Sequence, residues 1–400
     1  MRMPKQWILN MPFFLLVISC GISSGTLMLL SFLLHIAICK YYHIALTGPL
    51  WKSRHFRYTL LFIAIAFGCA FITIPFNQGR PEVLFRYLSR LAPLLLVVFM
   101  ARVDRDIFRV TWYGLIFSCT WLLMQVLWSP NWQWNRLFGP FSSPNTLAGL
   151  LIVLLPAVLF GLVRYRKSLS RYALFSVIFL CAAGVIVLIC TGSRNGYGVF
   201  GVSFLLLLYF IYRHRDRAVV KFMGGMVLGS CLVAACFAPG LISQRMGRNI
   251  QQDARTYLIQ SGLQMAWESP VIGIGVGNWG KVYKERFEAG NPFHEKNIQS
   301  PHNIYLHIMD ESGIIGLSGF FLLVFYQLRT CYKGLRNIYR CDKVAFPWLA
   351  GMGITILSVF LFGFLDYDFF SRHMMQLYWF FWGMCLYAIE LSEKEYRLNE

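Results

Sequence analysis

Three residues in polar segments of this apolar chain have side chains suited to catalysis or anion binding: His302, Arg194 and Arg255. His302 follows Pro301 at the predicted start of a helix. Because an imidazole can accept a proton at neutral pH, this residue could act as a general base. The alternative interpretation is a histidine that caps the helix or lies at a membrane interface.

The two arginines could bind a phosphate group. Arg255 lies in the first turn of a helix predicted over residues 253–267, with Asp253 near its N-cap. Free N–H groups and the helix dipole favour an anion there, and a guanidinium adds paired donors. Arg194 lies in the short segment 191–196 between two apolar runs. The alternatives are a solvated helix charge for Arg255 and an interfacial anchor for Arg194.

A glycine-rich run at residues 273–280 contains the pattern GxGxxG. A dinucleotide site would need a strand before this pattern, a helix after it and an acid about twenty residues further on. Here the pattern follows a predicted helix and Pro270, so the sequence favours a tight turn.

A metal site could be built from four nearby side chains, those of His294, His302, His307 and Asp310. However, the spacing of His302 and His307 turns them toward different faces of a helix, which does not suit shared ligation. We therefore predict neither a metal nor another cofactor.

The composition predicts a membrane protein and not a set of soluble domains. Hydrophobic residues make up 57% of the 400 residues and charged residues 14%. Apolar runs of about twenty residues recur, each able to cross a bilayer as a helix. The predicted fold class is all-α, a polytopic membrane helical bundle of about eleven or twelve transmembrane helices. The predicted spans are residues 11–39 (one helix or two), 58–76, 83–101, 107–128, 145–163, 172–191, 196–212, 218–238, 313–331, 346–365 and 373–391.

The net charge of +19 is explained by membrane topology and not by nucleic-acid binding. Lys and Arg concentrate in alternate loops, such as those near residues 40–57, 164–171 and 333–343, which is the positive-inside pattern. The intervening loops are therefore predicted on the outer face: 77–82, 129–144, 192–195, 241–312 and 366–372. The 11 cysteines lie mostly in apolar runs and predict no disulfide framework.

Residues 241–312 form the only long polar stretch, and a loop of this length between membrane helices is usually functional. We expect one integral membrane domain with three parts. Residues 1–240 carry N-terminal transmembrane helices, residues 241–312 form one large extracytoplasmic loop containing short helices, and residues 313–400 carry C-terminal transmembrane helices.

Ordered motifs between residues 140 and 320 resemble those of the O-antigen ligase/polymerase superfamily. They are Phe141-Ser-Ser-Pro-Asn145, Thr191-Gly-Ser-Arg194-Asn-Gly196, Asp253-Ala-Arg255, Glu268-Ser-Pro270-Val-Ile-Gly-Ile-Gly-Val-Gly-Asn278, Pro301-His302-Asn303-Ile-Tyr-Leu306 and Glu311-Ser-Gly-Ile-Ile-Gly-Leu317.

The resemblance implies a GT-C-like glycosyltransferase of the bacterial inner membrane, with its active site on the periplasmic face. The donor would be a glycan on undecaprenyl diphosphate, moved with inversion to a hydroxyl of lipid A–core, and membrane lipids would surround the protein. By motif, Arg194 and Arg255 would bind the diphosphate and His302 would activate the acceptor hydroxyl. The auxiliary candidates are Arg136, Asn303, Arg245 and Arg248.

Three alternatives stay open. A polymerase of the same superfamily would use a second lipid-linked repeat as acceptor, but polymerases often have two large arginine-bearing outer loops, and the single one here favours a ligase. A protein O-oligosaccharyltransferase is less favoured. A transporter of lipid-linked sugars typically carries ionisable residues within its spans, whereas charges here concentrate in loops.

We predict that loop 241–312 is extracytoplasmic and loop 332–345 cytoplasmic, because the Lys and Arg bias sets the orientation. With the native cysteines replaced, Gly290→Cys should react in intact cells with a membrane-impermeant thiol reagent. Arg340→Cys should not react until the membrane is permeabilised. The opposite labelling pattern would refute this topology.

Overall fold

A computed structural model describes residues 5–102, 106–133, 135–213, 217–237, 254–294, 296–341 and 345–399. Within these ranges the fold is almost entirely α-helical, and the strands are a two-residue antiparallel pair, Trp132–Gln133 with Arg136–Leu137. The predicted class, an all-α polytopic membrane protein, is confirmed.

The helices of the described chain lie before, within and after the polar stretch, residues 241–312. Before it they are α1 (Lys5–Gly21), α2 (Gly25–Tyr41), α3 (Arg54–Asn77), α4 (Pro81–Ser89), α5 (Ala92–Met100), α6 (Asp106–Trp128), α7 (Pro144–Tyr165), α8 (Arg171–Cys190), α9 (Arg194–Arg213) and α10 (Arg217–Phe237). In and after it they are α11 (Ala254–Glu268), α12 (Trp279–Arg286), α13 (Ile304–Cys341), α14 (Ala345–Phe362) and α15 (Arg372–Asn399). Short 3-10 turns lie at Pro49–Lys52, Arg166–Ser168, Glu288–Gly290 and Asp368–Phe370.

Eight helical segments of the described chain are long and apolar enough to cross a membrane, with α4 and α5 together forming one of them. Three shorter apolar segments lie in α1, α2 and α10. The stretch 11–39, open in the sequence as one helix or two, forms two. α1 ends at Gly21, and Ser24 caps α2 by accepting a hydrogen bond from Leu27 N at 3.3 Å.

The predicted span 83–101 is not one continuous helix, because α4 ends at Ser89 and α5 begins at Ala92. Pro93 explains the break, since proline lacks an N–H and disfavours a helical conformation in the residue before it. At this break the Arg90 guanidinium donates a hydrogen bond to the Phe370 carbonyl. The break thus anchors the loop that follows α14.

α7 lies at the centre of the bundle, with nearly all its residues buried. It packs against α6, α8, α9 and α14. On α6, Trp112 donates its indole N–H to the Val158 carbonyl at 2.9 Å. Gly161 leaves room for that indole, because a Cβ there would lie 2.0 Å from Trp112 Cδ1. Small residues of this kind let membrane helices pack closely. Close packing matters there because burial from water does not drive the association of helices within lipid.

The polar stretch has a small apolar core of its own. α11 ends at Glu268, one residue beyond its predicted end, and the predicted cap Asp253 lies outside the described residues. Leu258 and Met265 of α11 pack with Trp279 and Tyr283 around α12. This unit lies against the first turns of α13.

The glycine-rich run forms a tight turn against α13, as the sequence predicts. Ile274 N donates to the Asp310 carbonyl at 2.7 Å, and Gly275 N donates to the Glu311 carbonyl at 3.1 Å. Gly273 has a φ of 73°, and a Cβ there would lie 2.5 Å from the Glu311 backbone. Glycine is therefore required for this approach.

α13 bends at Gly313, where it passes from the polar unit into a membrane span. Gly313 has φ 63° and ψ −165°, a conformation that glycine alone adopts readily. The Ile314 N–H donates to the Pro270 carbonyl at 2.9 Å, so the turn after α11 supplies an acceptor at the bend. As predicted, this helix begins near His302, at Ile304, and continues into the C-terminal part.

Candidate functional site

The loop between α14 and α15, residues 363–371, holds the start of α13 in place. Ile304 N donates to the Gly363 carbonyl at 2.9 Å, and the Asn303 amide donates to the Phe364 carbonyl at 2.9 Å. Asn303 also caps α13, because its Oδ1 accepts from Leu306 N at 2.9 Å. Asn303 therefore fixes the backbone that immediately follows His302.

His302 lies beside the buried carboxylate of Asp366. Its Nδ1 is 3.8 Å from Asp366 Oδ1, and the His302 side chain is 33% exposed while that of Asp366 is 4% exposed. Nδ1 itself is buried and has no hydrogen-bond partner among the described residues. The exposed part of the ring therefore lies away from Nδ1 and the carboxylate.

Arg255 shares the same carboxylate. Its Nη2 is 3.3 Å from Asp366 Oδ2, and Asp366 Oδ1 also accepts from Tyr367 N at 2.8 Å. A buried carboxylate needs such cationic and N–H partners to offset its loss of hydration. The structure thus brings two of the predicted site residues, Arg255 and His302, to one acid.

Asp366 is a site residue that no sequence motif singles out. It lies 111 positions from Arg255, and no motif connects the two. The signal that could have found it is the pair of acids, Asp366 and Asp368, in a short outer loop between two apolar runs. Acids so close to a membrane span usually pair with a cation, which would have pointed to the arginines of the same face.

Asp368 is the second acid of this loop and belongs to the same electrostatic cluster. Burial, and then the charge of Asp366, raise the pKa of Asp368 to about 7. Thr146 on α7 donates its hydroxyl to Asp368 Oδ1 at 3.0 Å. Asp368 Oδ2 is buried without a hydrogen-bond partner in the described part of the chain. Well below pH 7, Asp368 is therefore mainly protonated and adds little negative charge beside Asp366.

Arg194 occupies the first position of α9, near the end of α14. The next residue, Asn195, donates its side-chain amide to the Phe362 carbonyl at 2.7 Å. The Arg194 side chain is exposed. Arg194 therefore lies one residue from a contact with α14, whose end leads directly into the loop of Asp366.

Arg136, an auxiliary candidate from the sequence, braces the turn that precedes Arg194. Its Nε donates to the Thr191 carbonyl at 2.8 Å, and its Nη2 donates to Asn145 Oδ1 at 2.9 Å. The motif around Asn145 and the motif around Arg194 are thus joined by one guanidinium. The other auxiliary candidates, Arg245 and Arg248, lie outside the described residues.

His307 faces different groups from His302, as their spacing predicts. Its Nε2 is 3.4 Å from Glu311 Oε2, and its ring lies edge-on to that of Tyr367 with centroids 4.4 Å apart. Asp310 Oδ2 accepts the Trp279 indole N–H at 2.8 Å. Across the residues that the structure describes, no group of three or more His, Cys, Asp or Glu side chains could hold a metal ion.

A cavity of about 90 Å³ lies beside this site, between α3, α13 and α15. Its wall is mainly apolar, with Phe67, Leu323 and Phe369 among its lining residues and with His307 and Glu311 at its edge. His302 and Arg255 do not line it, so the cavity and the Asp366 site are separate features.

Comparison with known proteins agrees with the resemblance in the motifs. Residues 179–321 match the family model described as O-Antigen ligase, a segment that contains Arg194, Arg255 and His302 but ends before Asp366. Over 319 residues the chain is 26% identical to the exopolysaccharide production protein ExoQ of Rhizobium meliloti (strain 1021). The matched region covers 73% of this chain and 68% of that protein.

We expect the thermal stability of the unchanged protein to fall more steeply with rising pH than the thermal stability of the Asp368→Asn variant. The folded-state pKa of Asp368, about 7, lies above that of an unfolded aspartate. Its contribution to stability is thus complete below about pH 4 and is lost as the pH rises through 7. The amide stays neutral and can keep the Thr146 hydrogen bond. Thermal unfolding midpoints of both proteins, measured in detergent across this range, test the difference, and parallel curves would contradict it.

Proposed function

We propose, from its place in the O-antigen ligase-like superfamily, that this protein is an inverting membrane glycosyltransferase. It moves a glycan from undecaprenyl diphosphate to an acceptor hydroxyl, with lipid A–core as the first candidate acceptor. The observation that carries the proposal is the carboxylate of Asp366 between His302 and Arg255, at 3.8 and 3.3 Å. One of these side chains can take a proton, and the other can bind a phosphate.

His302 is the proposed general base. A sugar hydroxyl is a poor nucleophile until its proton is removed in the transition state. With Nδ1 toward Asp366, the carboxylate stabilises the imidazolium that forms when Nε2 takes this proton. The acceptor oxygen bonds to C1 of the donor sugar as the bond from C1 to the diphosphate oxygen breaks. A single displacement of this kind inverts the anomeric centre.

Arg255 and Arg194 are the proposed ligands of the diphosphate. The leaving diphosphate gains negative charge, and positioned guanidinium groups stabilise that charge. Asp366 orients the planar group of Arg255, whose paired donors match two phosphate oxygens. The first turn of α11 adds a helix dipole of the favourable sign. These groups supply the positive charge that the step requires.

The proposed location is the periplasmic face of the bacterial inner membrane. The start of α9, the start of α13 and the end of α14 carry the site, and the Lys and Arg bias assigns these helix ends to the outer side. A lipid-linked donor presents its diphosphate at the membrane surface. A site built at helix ends suits such a substrate.

A polymerase is the second candidate, favoured by the name of the relative, which refers to exopolysaccharide production. The same base and phosphate ligands would serve it, with a second lipid-linked repeat as acceptor. Purified protein can be given a lipid-diphosphate glycan with either lipid A–core or a second repeat. Transfer to lipid A–core supports the ligase, chain growth supports the polymerase, and transfer to neither contradicts the proposal.

His302→Ala is expected to slow transfer by about 10²–10⁴-fold, because the acceptor hydroxyl loses its proton acceptor. Binding of the donor should be largely kept, since both arginines remain. Product formation and donor titration on the purified variant measure the two effects. His294→Ala is the control, because His294 is exposed in the loop after α12. Near-normal transfer by a folded His302→Ala protein would rule out His302 as the general base.

Arg255→Lys provides the contrasting variant for the same assays. It keeps the charge but loses the planar fork, so donor binding should weaken. Arg286→Lys is its matched control, since Arg286 pairs with Glu268 at 2.6 Å on the exposed surface of the same polar stretch. Donor binding by Arg255→Lys equal to that of Arg286→Lys would remove Arg255 from the diphosphate site.

A further inference from the structure

Three apolar side chains of the polar stretch are left uncovered along one side of α11 and the turn that follows it. Leu263 is 57% exposed, Trp267 86% and Val271 55%. They are spaced four residues apart, so Leu263 and Trp267 lie one above the other on the helix. A tryptophan this exposed is unusual in a protein surrounded only by water. We refer to Leu263, Trp267 and Val271 as the apolar stripe.

A polar stripe runs beside the apolar one. Gln260, Gln264 and Glu268 are exposed and also lie four residues apart. Gln264 donates its amide to Glu268 Oε1 at 3.3 Å, and Glu268 pairs with Arg286. The exposed half of α11 is therefore divided lengthwise into an apolar and a polar side. A helix divided in this way suits a boundary between water and lipid.

The apolar stripe continues the lipid-facing surface of the membrane spans. The Val271 carbonyl accepts from Ile315 N at 3.4 Å, and the Pro270 carbonyl accepts from Ile314 N at 2.9 Å. Ile314 is exposed, as are Phe321 and Phe325 further along the same span. Lipid is the solvent of those side chains in a multi-pass membrane protein, and Val271 lies beside the first of them.

The end of α3 borders the same region. The Asn77 side-chain amide donates to the Ile272 carbonyl at 2.6 Å, next to Val271 in the chain. Phe76 and Ile72, in the last turns of α3, are also exposed. Exposed apolar residues of two membrane helices, α3 and α13, thus lie next to the end of the stripe at Val271. Trp267 lies four residues before Val271 in the chain, and tryptophan is a residue that favours membrane–water interfaces.

We propose that the apolar stripe of α11 is seated in the membrane leaflet that α13 enters, with the lipid bilayer itself as its partner. The polar stripe then faces the aqueous side, and the core face of α11 stays packed on α13. α11 is an interfacial helix, and the polar stretch is a membrane-surface unit rather than a loop that projects into solvent.

Seating of the apolar stripe in the bilayer also affects the position of Arg255, and the role of Arg255 rests on the proposed function. Arg255 and Trp267 lie on one helix, about 18 Å apart along its axis at the usual rise per residue. A helix whose C-terminal part is seated in the bilayer, and whose core face is packed on α13, holds Arg255 at a fixed level relative to the bilayer. Under the proposed function, this is the residue that binds the diphosphate of the membrane-anchored donor.

Site-directed spin labelling of the full chain tests the seating without any substrate. Leu263→Cys and Gln264→Cys are made in a background without the native cysteines, labelled, and placed in nanodiscs of phosphatidylethanolamine and phosphatidylglycerol. Both positions are exposed, so both labels are compatible with the fold. The label at 263 should collide readily with oxygen, which concentrates in lipid, and be protected from a water-soluble nickel chelate. The label at 264 should show the reverse preference, and Val271→Cys should behave as Leu263→Cys does.

Two results would overturn the proposal. Equal access of the nickel chelate to 263 and 264 would mean that α11 stands in water. Protection of 263 from both reagents would mean that protein, and not lipid, covers the stripe. Because no donor or acceptor is used, loss of the proposed transferase activity would leave either result unchanged, and the two proposals fail separately.

Discussion

The buried carboxylate of Asp366 constrains the whole end of the bundle at which it lies. An anion with so little exposure needs cationic and N–H partners, or its lost hydration is not offset. Arg255 and the Tyr367 N–H provide them, and the His302 ring lies 3.8 Å from the same carboxylate. Arg255 and His302 come from parts of the chain that are distant from Asp366. For these groups to meet, α11 must lie against the start of α13, and α13 must begin against the end of α14. The tight glycine turn and the Asn303 cap both serve that arrangement.

The membrane bundle supplies a rigid base for this carboxylate. Backbone groups that face lipid must be paired within helices, so charge and irregular backbone are confined to the helix ends. The loop of Asp366 uses such an end, and it is tied to the buried centre by Thr146 on α7 and to the α4–α5 break by Arg90. The same constraint explains the bend at Gly313. There the Pro270 carbonyl of the polar unit accepts the Ile314 N–H of a helix that is about to enter the lipid.

Much of this architecture could be predicted from the sequence, because its causes are local. The lengths of the apolar runs predict the spans, and Pro270 ends α11 close to where the pattern places it. The break before Pro93 was missed, because a continuous apolar run outweighed one proline. Arg255 and His302 stand in motifs, whereas Asp366 depends on contacts across 111 positions. Arg136 illustrates the same limit, because its hydrogen bonds to Thr191 and Asn145 join two motifs that are far apart in the chain.

The order of these residues along the chain has a consequence for biogenesis. During synthesis Arg194, Arg255 and His302 leave the ribosome before residues 363–371. Until α14 and α15 have been inserted, the start of α13 lacks the carbonyls of Gly363 and Phe364, and Arg255 and His302 lack the carboxylate that they share. The proposed catalytic centre is therefore completed late, after most of the bundle is in the membrane. A nascent chain that stalls before this point has most of its membrane helices but lacks the carboxylate of the proposed centre.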